Sequence, residues 1–309
     1  QVSLPAIGPQ AKGRLRLPLP QNWKDHDVLA VRATGTEGEA LMEWSWPLRS
    51  DTVARARVAN GGIEQTGPMS FRAGGVSWTF DPANGRLLRC LTDGQVTGLA
   101  NGPVLYAGTS DGELAHEGEW QVEVEWEDET VVITSRQAES GSRFSWTLHP
   151  DGRAELAYAF AQINEALTYC AVGFDLPDEN VAAKRWLGDG PYRIWANRLQ
   201  GPLFGLWEND YNDTIPGVTW DYPAFKGVFG DVDWMSLDLS TGQTLQIDPE
   251  TFADVGVLRP TNVRDYGTTG DSNLGPRNAT WDYPESGGIF LFHKVPAVGT
   301  KFKRTEILG

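Results

Sequence analysis

The sequence predicts an all-β protein of antiparallel strands, on three observations. Strand patterns recur along the chain while helical ones are scarce, and 35 Gly and 19 Pro in 309 residues punctuate them. Xaa-Gly pairs stand where one strand pattern would fold back onto the next. One segment, Trp120-Gln-Val-Glu-Val-Glu-Trp126, alternates apolar and polar residues strictly, as a strand does that buries one face and turns its glutamates to water.

The elements follow in order. Arg14-Leu-Arg-Leu-Pro-Leu-Pro20, Val28-Leu-Ala-Val-Arg32 and Ala40-Leu-Met-Glu-Trp-Ser-Trp46 predict three consecutive strands of a small sandwich. An immunoglobulin-like sandwich needs about seven strands and about 100 residues, so residues 1–50 are read as part of such a domain. Polar, glycine-containing residues 51–67 are read as a linker, and 68–309 as a second, larger sandwich. Within it, Asn84-Gly85 separates Val76–Phe80 from Arg86–Cys90, and Asp151-Gly152 separates Phe144–Leu148 from Ala154–Tyr158. Both predict hairpins closed by a type I′ turn, and Thr241-Gly242 predicts a third. The pentapeptide Thr-Trp-Asp-Tyr-Pro occurs twice, at 219–223 and 280–284, and is read as a duplicated turn because no longer period accompanies it.

Composition excludes several function classes. With 26 Lys and Arg against 41 Asp and Glu, the formal net charge of −15 argues against nucleic acid, which needs a basic patch. No run of about 18 apolar residues predicts a transmembrane helix. Residues 1–7 lack a charged segment, an apolar segment and a cleavage site, as expected where a signal peptide has been removed or the chain is a fragment. Cys90 and Cys170 are one widely spaced pair, read as buried free thiols, and the compartment stays open.

Chemistry-bearing motifs are few. His26, His116, His149 and His293 lack metal-ligand spacing. His149 is read as a solvated turn residue and His293, in Ile289-Phe-Leu-Phe-His293, as a satisfied core histidine. Zinc-protease, hydrolase-elbow, P-loop and Cys-x-x-Cys motifs do not occur. Glu208, Asp210 and Asp213 are read as a solvated polar loop, so no catalytic carboxylate pair stands out. No cofactor is expected, although the oxygen-rich run 209–213 suits a structural calcium or sodium ion.

The densest aromatic stretch, Trp186 to Tyr222, sets Trp186, Tyr192, Trp195, Trp207, Tyr211, Trp220 and Tyr222 among Gly, Asn, Asp and Arg. Flat rings beside short polar groups suit sugars, whose C–H faces stack and whose hydroxyls pair. A tryptophan-rich β core accounts for the same residues equally well.

Here the residues resemble a known family. Trp186-Leu-Gly-Asp-Gly-Pro-Tyr-Arg-Ile-Trp-Ala-Asn-Arg198 is similar to the W-L-G-x-G-P-x-E-x-Y-x-D-R signature of the C-terminal small-chain domain of family 2 glycoside hydrolases, the β-galactosidases. Val172–Leu176 stands where that family has the preceding strand, Phe80–Leu87 resembles the F-D-x-x-T-G-x-L hairpin opening the domain, and Leu15–Leu48 resembles the last strands of the immunoglobulin-like domain before it. The resemblance implies a galactose-mutarotase-like supersandwich that completes the enzyme fold and lines the carbohydrate site. The catalytic glutamates would lie in a barrel domain or subunit outside this chain, which would be inactive without it.

Implied carbohydrate-binding residues are Trp195, Arg198, Trp207, Trp220, Asp271 and Trp281. Asp271 comes from Thr269-Gly-Asp-Ser-Asn-Leu274, the nearest match to the family's G-G-D-x-S-W loop; its tryptophan is missing, and Trp281 is the substitute seven residues on. Tyr192-Arg193 also departs from the signature, which leaves galactose specificity open. The implied partners are a β-linked sugar and the barrel, with a homo-oligomer open and no nucleic acid or membrane. Two alternatives stand beside this reading. One is a self-sufficient mutarotase-like or lyase-like enzyme using Arg193, Arg198, Glu208 or His293; the other is a freestanding carbohydrate-binding module.

Overall fold

The computed structural model describes residues 2–3, 5–48, 61–109, 112–114, 118–161, 163–191, 194, 196, 201–209, 227–258 and 287–295. The chain divides into two compact units, Gln1–Ala56 and Arg57–Gly309.

The first unit holds β1 (Val28–Thr34) and β2 (Ala40–Pro47), an antiparallel ribbon preceded by one short 3-10 turn at Trp23–Asp25. The expected third strand is absent: residues 14–20 form no strand. Pro18 and Pro20 explain this, since each lacks the N–H that a ladder requires at that position.

The second unit runs β3 (Glu64–Gly67), β4 (Ser70–Ala73), β5 (Val76–Phe80), β6 (Leu87–Thr92), β7 (Gln95–Val96), β8 (Ala100–Thr109), β9 (Gly112–Glu113), β10 (Trp120–Glu127), β11 (Thr130–Gln137), β12 (Arg143–Leu148), β13 (Ala154–Ala159) and β14 (Tyr169–Asp175). It continues with β15 (Val181–Gly190), β16 (Leu203–Asn209), β17 (Val228–Val232), β18 (Trp234–Leu239), β19 (Thr244–Ile247), β20 (Ala253–Leu258) and β21 (Gly288–Lys294). Residues 64–67, inside the stretch read as a linker, pair as β3 with β4. Every pairing among the described residues is antiparallel, and the protein is an all-β sandwich.

Among the described residues, three sheets build this second unit. The large one has the order β17-β20-β21-β14-β8-β6-β5-β4-β3, with β7 beside β6 and β9 beside β8. Two four-stranded sheets, β10-β11-β12-β13 and β16-β15-β18-β19, pack on it. Phe71, Trp78 and Phe80 of the large sheet meet Ile133, Phe144 and Trp146 of the first small sheet. Phe229, Val255 and Ile289 meet Trp186, Met235 and Leu237 of the second. In β21 the side chains alternate: Ile289 and Leu291 enter that second core, while Phe290 and Phe292 join Tyr169, Ala171 and Leu258 in a third cluster on the opposite face. Hydrophobic residues in consecutive positions of this strand therefore mark burial on both faces.

The hairpins are where expected, but their turns differ. Type I′ needs positive φ at both central residues; Gly85, Gly152 and Gly242 have it, whereas Asn84, Asp151 and Thr241 do not. Instead Gly152 N–H donates to the His149 carbonyl and Gly242 N–H to the Leu239 carbonyl, each a type I turn followed by one left-handed glycine. The loop at Asn84 is longer still, closed by the Asp81 carboxylate accepting from the Ala83 N–H and the Asn84 amide. Paired positive φ occurs at Gly74-Gly75 and Asp93-Gly94, which join β4 to β5 and β6 to β7. Strand β10 matches expectation, with Gln121, Glu123 and Glu125 exposed and Trp120, Val122 and Val124 half-buried against the core.

Candidate functional site

The signature run Trp186–Gly190 forms the last half of β15, the inner strand of the second small sheet. Trp186 is completely buried, its ring 4.4 Å from that of Phe229 and its indole N–H donated to the Asp189 carbonyl at 3.0 Å. The two glycines are there because other atoms occupy the space of a side chain. A Cβ on Gly188 would lie 2.9 Å from the Cα of Val232, and one on Gly190 would press on the Trp207 ring, 2.4 Å from its Cδ1. Trp207 is half-buried and pinned, since its indole N–H is shared between the Gly188 and Leu203 carbonyls, both at 3.1 Å. Trp186 is thus core rather than sugar-facing, and Trp207 has already committed its N–H.

Beyond the glycines, three carboxylates from three strands gather. Asp189 stands between Gly188 and Gly190 at the end of β15, Asp231 sits in a bulge of β17 where the register to β20 shifts between Phe229 and Val232, and Asp254 lies in β20. Asp231 takes the left-handed conformation (φ 46°) that a non-glycine residue rarely adopts, and its N–H donates to Asp254 Oδ1 at 3.3 Å. Asp231 is exposed; Asp189 and Asp254 are half-buried. Burial pushes the Asp189 carboxyl up to about 6, helped by the charges of Asp231 and Asp254. Burial likewise pushes Asp254 up to about 6, with the Asp231 N–H opposing and the Asp231 charge adding. Carboxyl groups that titrate this near neutrality can both donate to and accept from a hydroxyl, and such displaced values concentrate where chemistry or binding occurs. Ile194, four residues beyond the glycines, donates its N–H to the Val228 carbonyl and packs into the third apolar cluster.

Of the implied sugar-binding residues, Trp207 is the one described. Trp195, Arg198, Trp220, Asp271 and Trp281 lie outside the described residues, as do Arg193, Asp210, Asp213 and most of the 209–213 run. Glu208 is no loop residue: it belongs to β16, exposed, 3.3 Å from Arg185 of β15. His293 is satisfied but not core: it stands at the surface end of β21 with one side of its ring covered by Tyr158 and Nε2 2.9 Å from Tyr158 Oη. His149 is not freely solvated either; its Nε2 approaches the Glu155 carboxylate at 3.0 Å. Cys90 is buried and Cys170 half-buried, both free. Among the described residues, no group of three His, Cys, Asp or Glu side chains is placed to hold a metal ion.

Asp231 and Asp254 were not singled out by sequence reasoning. The available signal was Asp254 itself, one charge inside the apolar run Ala253-Asp-Val-Gly-Val-Leu258. Comparison with known proteins adds no identification: no protein-family model matches the chain, and no curated protein matches it.

Proposed function

We propose that this chain is the C-terminal, non-catalytic portion of a β-galactosidase-like family 2 glycoside hydrolase, completing the fold and lining the carbohydrate site. The observation that carries the reading is the signature strand. Trp186, Gly188 and Gly190 each have a physical requirement in β15, and the same strand carries Asp189, a half-buried carboxyl group of near-neutral pKa beside those of Asp231 and Asp254. A role in lining the site needs hydrogen-bonding groups and rings held rigidly, and no proton transfer to the glycosidic oxygen. The barrel supplies the acid and nucleophile in this reading.

This reading predicts weak binding of simple sugars. Titrating the chain with methyl β-galactoside and methyl β-glucoside, followed by calorimetry, is expected to give dissociation constants in the millimolar range. Trp195→Ala should weaken the better ligand about tenfold, the loss of one stacked ring at about 1–2 kcal/mol. Unchanged affinity in Trp195→Ala, or no binding of any β-glycoside, contradicts the assignment.

A second reading, a self-sufficient carbohydrate enzyme, draws on the Tyr158–His293 contact. Burial pushes the phenol up to about 12 and lowers the imidazole, so both are neutral at pH 7, a proton donor facing a proton acceptor.

A further inference from the structure

The outer face of the first small sheet carries one pairing that its own fold does not explain. On that face the register sets side chains in rows: Gln121, Arg136, Arg143 and Ala159 across β10 to β13, then Glu123, Thr134, Ser145 and Ala157. Arg136 and Arg143 stand directly opposite each other on neighbouring strands, and directly opposed residues have Cβ atoms about 5 Å apart. Like charges so placed weaken a sheet. Nearby carboxylates relieve one of the two. Glu123 approaches Arg136 at 3.2 Å, just as Arg153 and Arg185 each meet a carboxylate on their own sheets. Arg143 forms no ion pair among the described residues, although Glu119 and Glu139 lie just beyond the strand ends. Glu125 and Glu155 stand two rows away, roughly 14 Å along the strands.

The surroundings indicate what answers Arg143. A guanidinium presents a planar fork that pairs with a carboxylate through two parallel hydrogen bonds, and a carboxylate lodged between two guanidiniums also cancels their repulsion. On the β13 side the face is bare. Ala157 and Ala159 are exposed and small, so a shelf lies open next to Arg143, bordered in the second row by the hydroxyls of Ser145 and Thr134. A sugar ring fits such a shelf, its C–H bonds against the methyl groups and its hydroxyls against the serine and threonine. The net charge of −15 disfavours a long polyanion, whereas a single carboxylate responds mainly to groups within a Debye length, about 8 Å at 0.15 M salt. We infer that Arg136 and Arg143 clamp the carboxylate of an acidic sugar, whose ring lies on the shelf of Ala157 and Ala159. The sugar rests on the carbohydrate reading above; the carboxylate clamp stands on the sheet register. The clamp lies on the first small sheet, apart from the aspartates beside the second, and is a separate ligand position.

Calorimetric titration of the full chain with methyl β-glucuronide, methyl β-glucoside and acetate at low salt tests this. The glucuronide is expected to bind in the low-millimolar range, about tenfold more tightly than acetate. Arg143→Gln should weaken it at least about tenfold, and Arg143→Lys, which keeps the charge without the fork, about threefold, while neither substitution moves the glucoside. Without ligand, Arg143→Gln is expected to raise the melting temperature by about 1–2 °C because the repulsion is gone, and far-UV circular dichroism reports that the fold is kept. Trp195→Ala should leave the glucuronide loss in Arg143→Gln unchanged, so the clamp and the sugar-lining role fail separately. A glucuronide affinity indifferent to Arg143→Gln overturns the proposal, as does a glucoside equally affected or acetate that binds as tightly as the glucuronide. An Arg143→Gln chain that melts lower without ligand also overturns it.

Discussion

Lowering the pH from 7.5 to 5 will make the folded chain more stable, by about 1–2 kcal/mol, the reverse of the usual behaviour of a protein held together by ionised carboxylates. Asp189 and Asp254 titrate near 6 in the folded state against an ordinary value of 3.8. Between those values the folded chain binds more protons than the unfolded one, so stability is gained as the pH falls through 6 and is complete near pH 4. A carboxyl whose titration moves by one pH unit on folding changes stability by about 1.4 kcal/mol, but the two groups are coupled and partly reached by water, which brings the pair down to the stated figure. The cause is burial beside like charge at the β17 bulge. Asp254→Asn keeps the amide oxygen that accepts the Asp231 N–H and removes the charge. It should therefore raise the melting temperature at pH 7.5 by several degrees and flatten the pH dependence. His293, its pKa lowered by burial, works in the opposite direction below its ordinary 6.5, and a His293→Gln control removes that contribution. Asp151 does not interfere: burial opposes it, but the bonds from Arg153 hold its carboxyl below 3.8, outside this range. A melting temperature that falls from pH 7.5 to pH 5, or an Asp254→Asn variant less stable at pH 7.5, contradicts the account of the site.

Gly190→Ala is expected to cost at least about 3 kcal/mol in urea unfolding, more than the conformational penalty of any exposed strand position. The Trp207 ring comes within 2.4 Å of the new methyl group and is held there by two carbonyls, so moving aside disturbs both bonds. Trp186→Ala should cost about 4 kcal/mol by emptying a fully buried site against Phe229. Either loss is a large share of the roughly 5–15 kcal/mol that holds a domain together. The decisive variant is the double one. In a Trp207→Ala background the added methyl finds open space, so Gly190→Ala should cost less than about 1 kcal/mol there. An equal cost in both backgrounds would show that the glycine answers to something other than the ring.

The all-β class was legible because period-2 alternation and glycine punctuation are local signals, and strands such as β10 and β21 carry them plainly. Turn types were less legible. The pairs Asn84-Gly85 and Asp151-Gly152 promise a left-handed glycine, and each delivered one, but the residue before it depends on how many residues the strands leave between their last paired positions. The Arg14–Pro20 pattern looked like a strand because leucines alternate there, while its prolines removed the donors that pairing needs. The structural half of the signature, Trp186 to Gly190, was visible as a motif. Its neighbours Asp231 and Asp254 were not, because they meet each other through the pairing of β17 with β20 at a bulge and meet Asp189 through the packing of β17 against β15, proximities that no spacing in sequence encodes.

On the proposed function this chain lines a carbohydrate site without performing the hydrolysis, and the most direct test is turnover of a panel of nitrophenyl β-glycosides by the chain alone and by the full product of the reading frame that encodes it. The proposal predicts silence from the chain alone and hydrolysis from the full product. Turnover by the chain alone, lost in Tyr158→Phe and His293→Gln, would contradict it and give the chemistry to that pair.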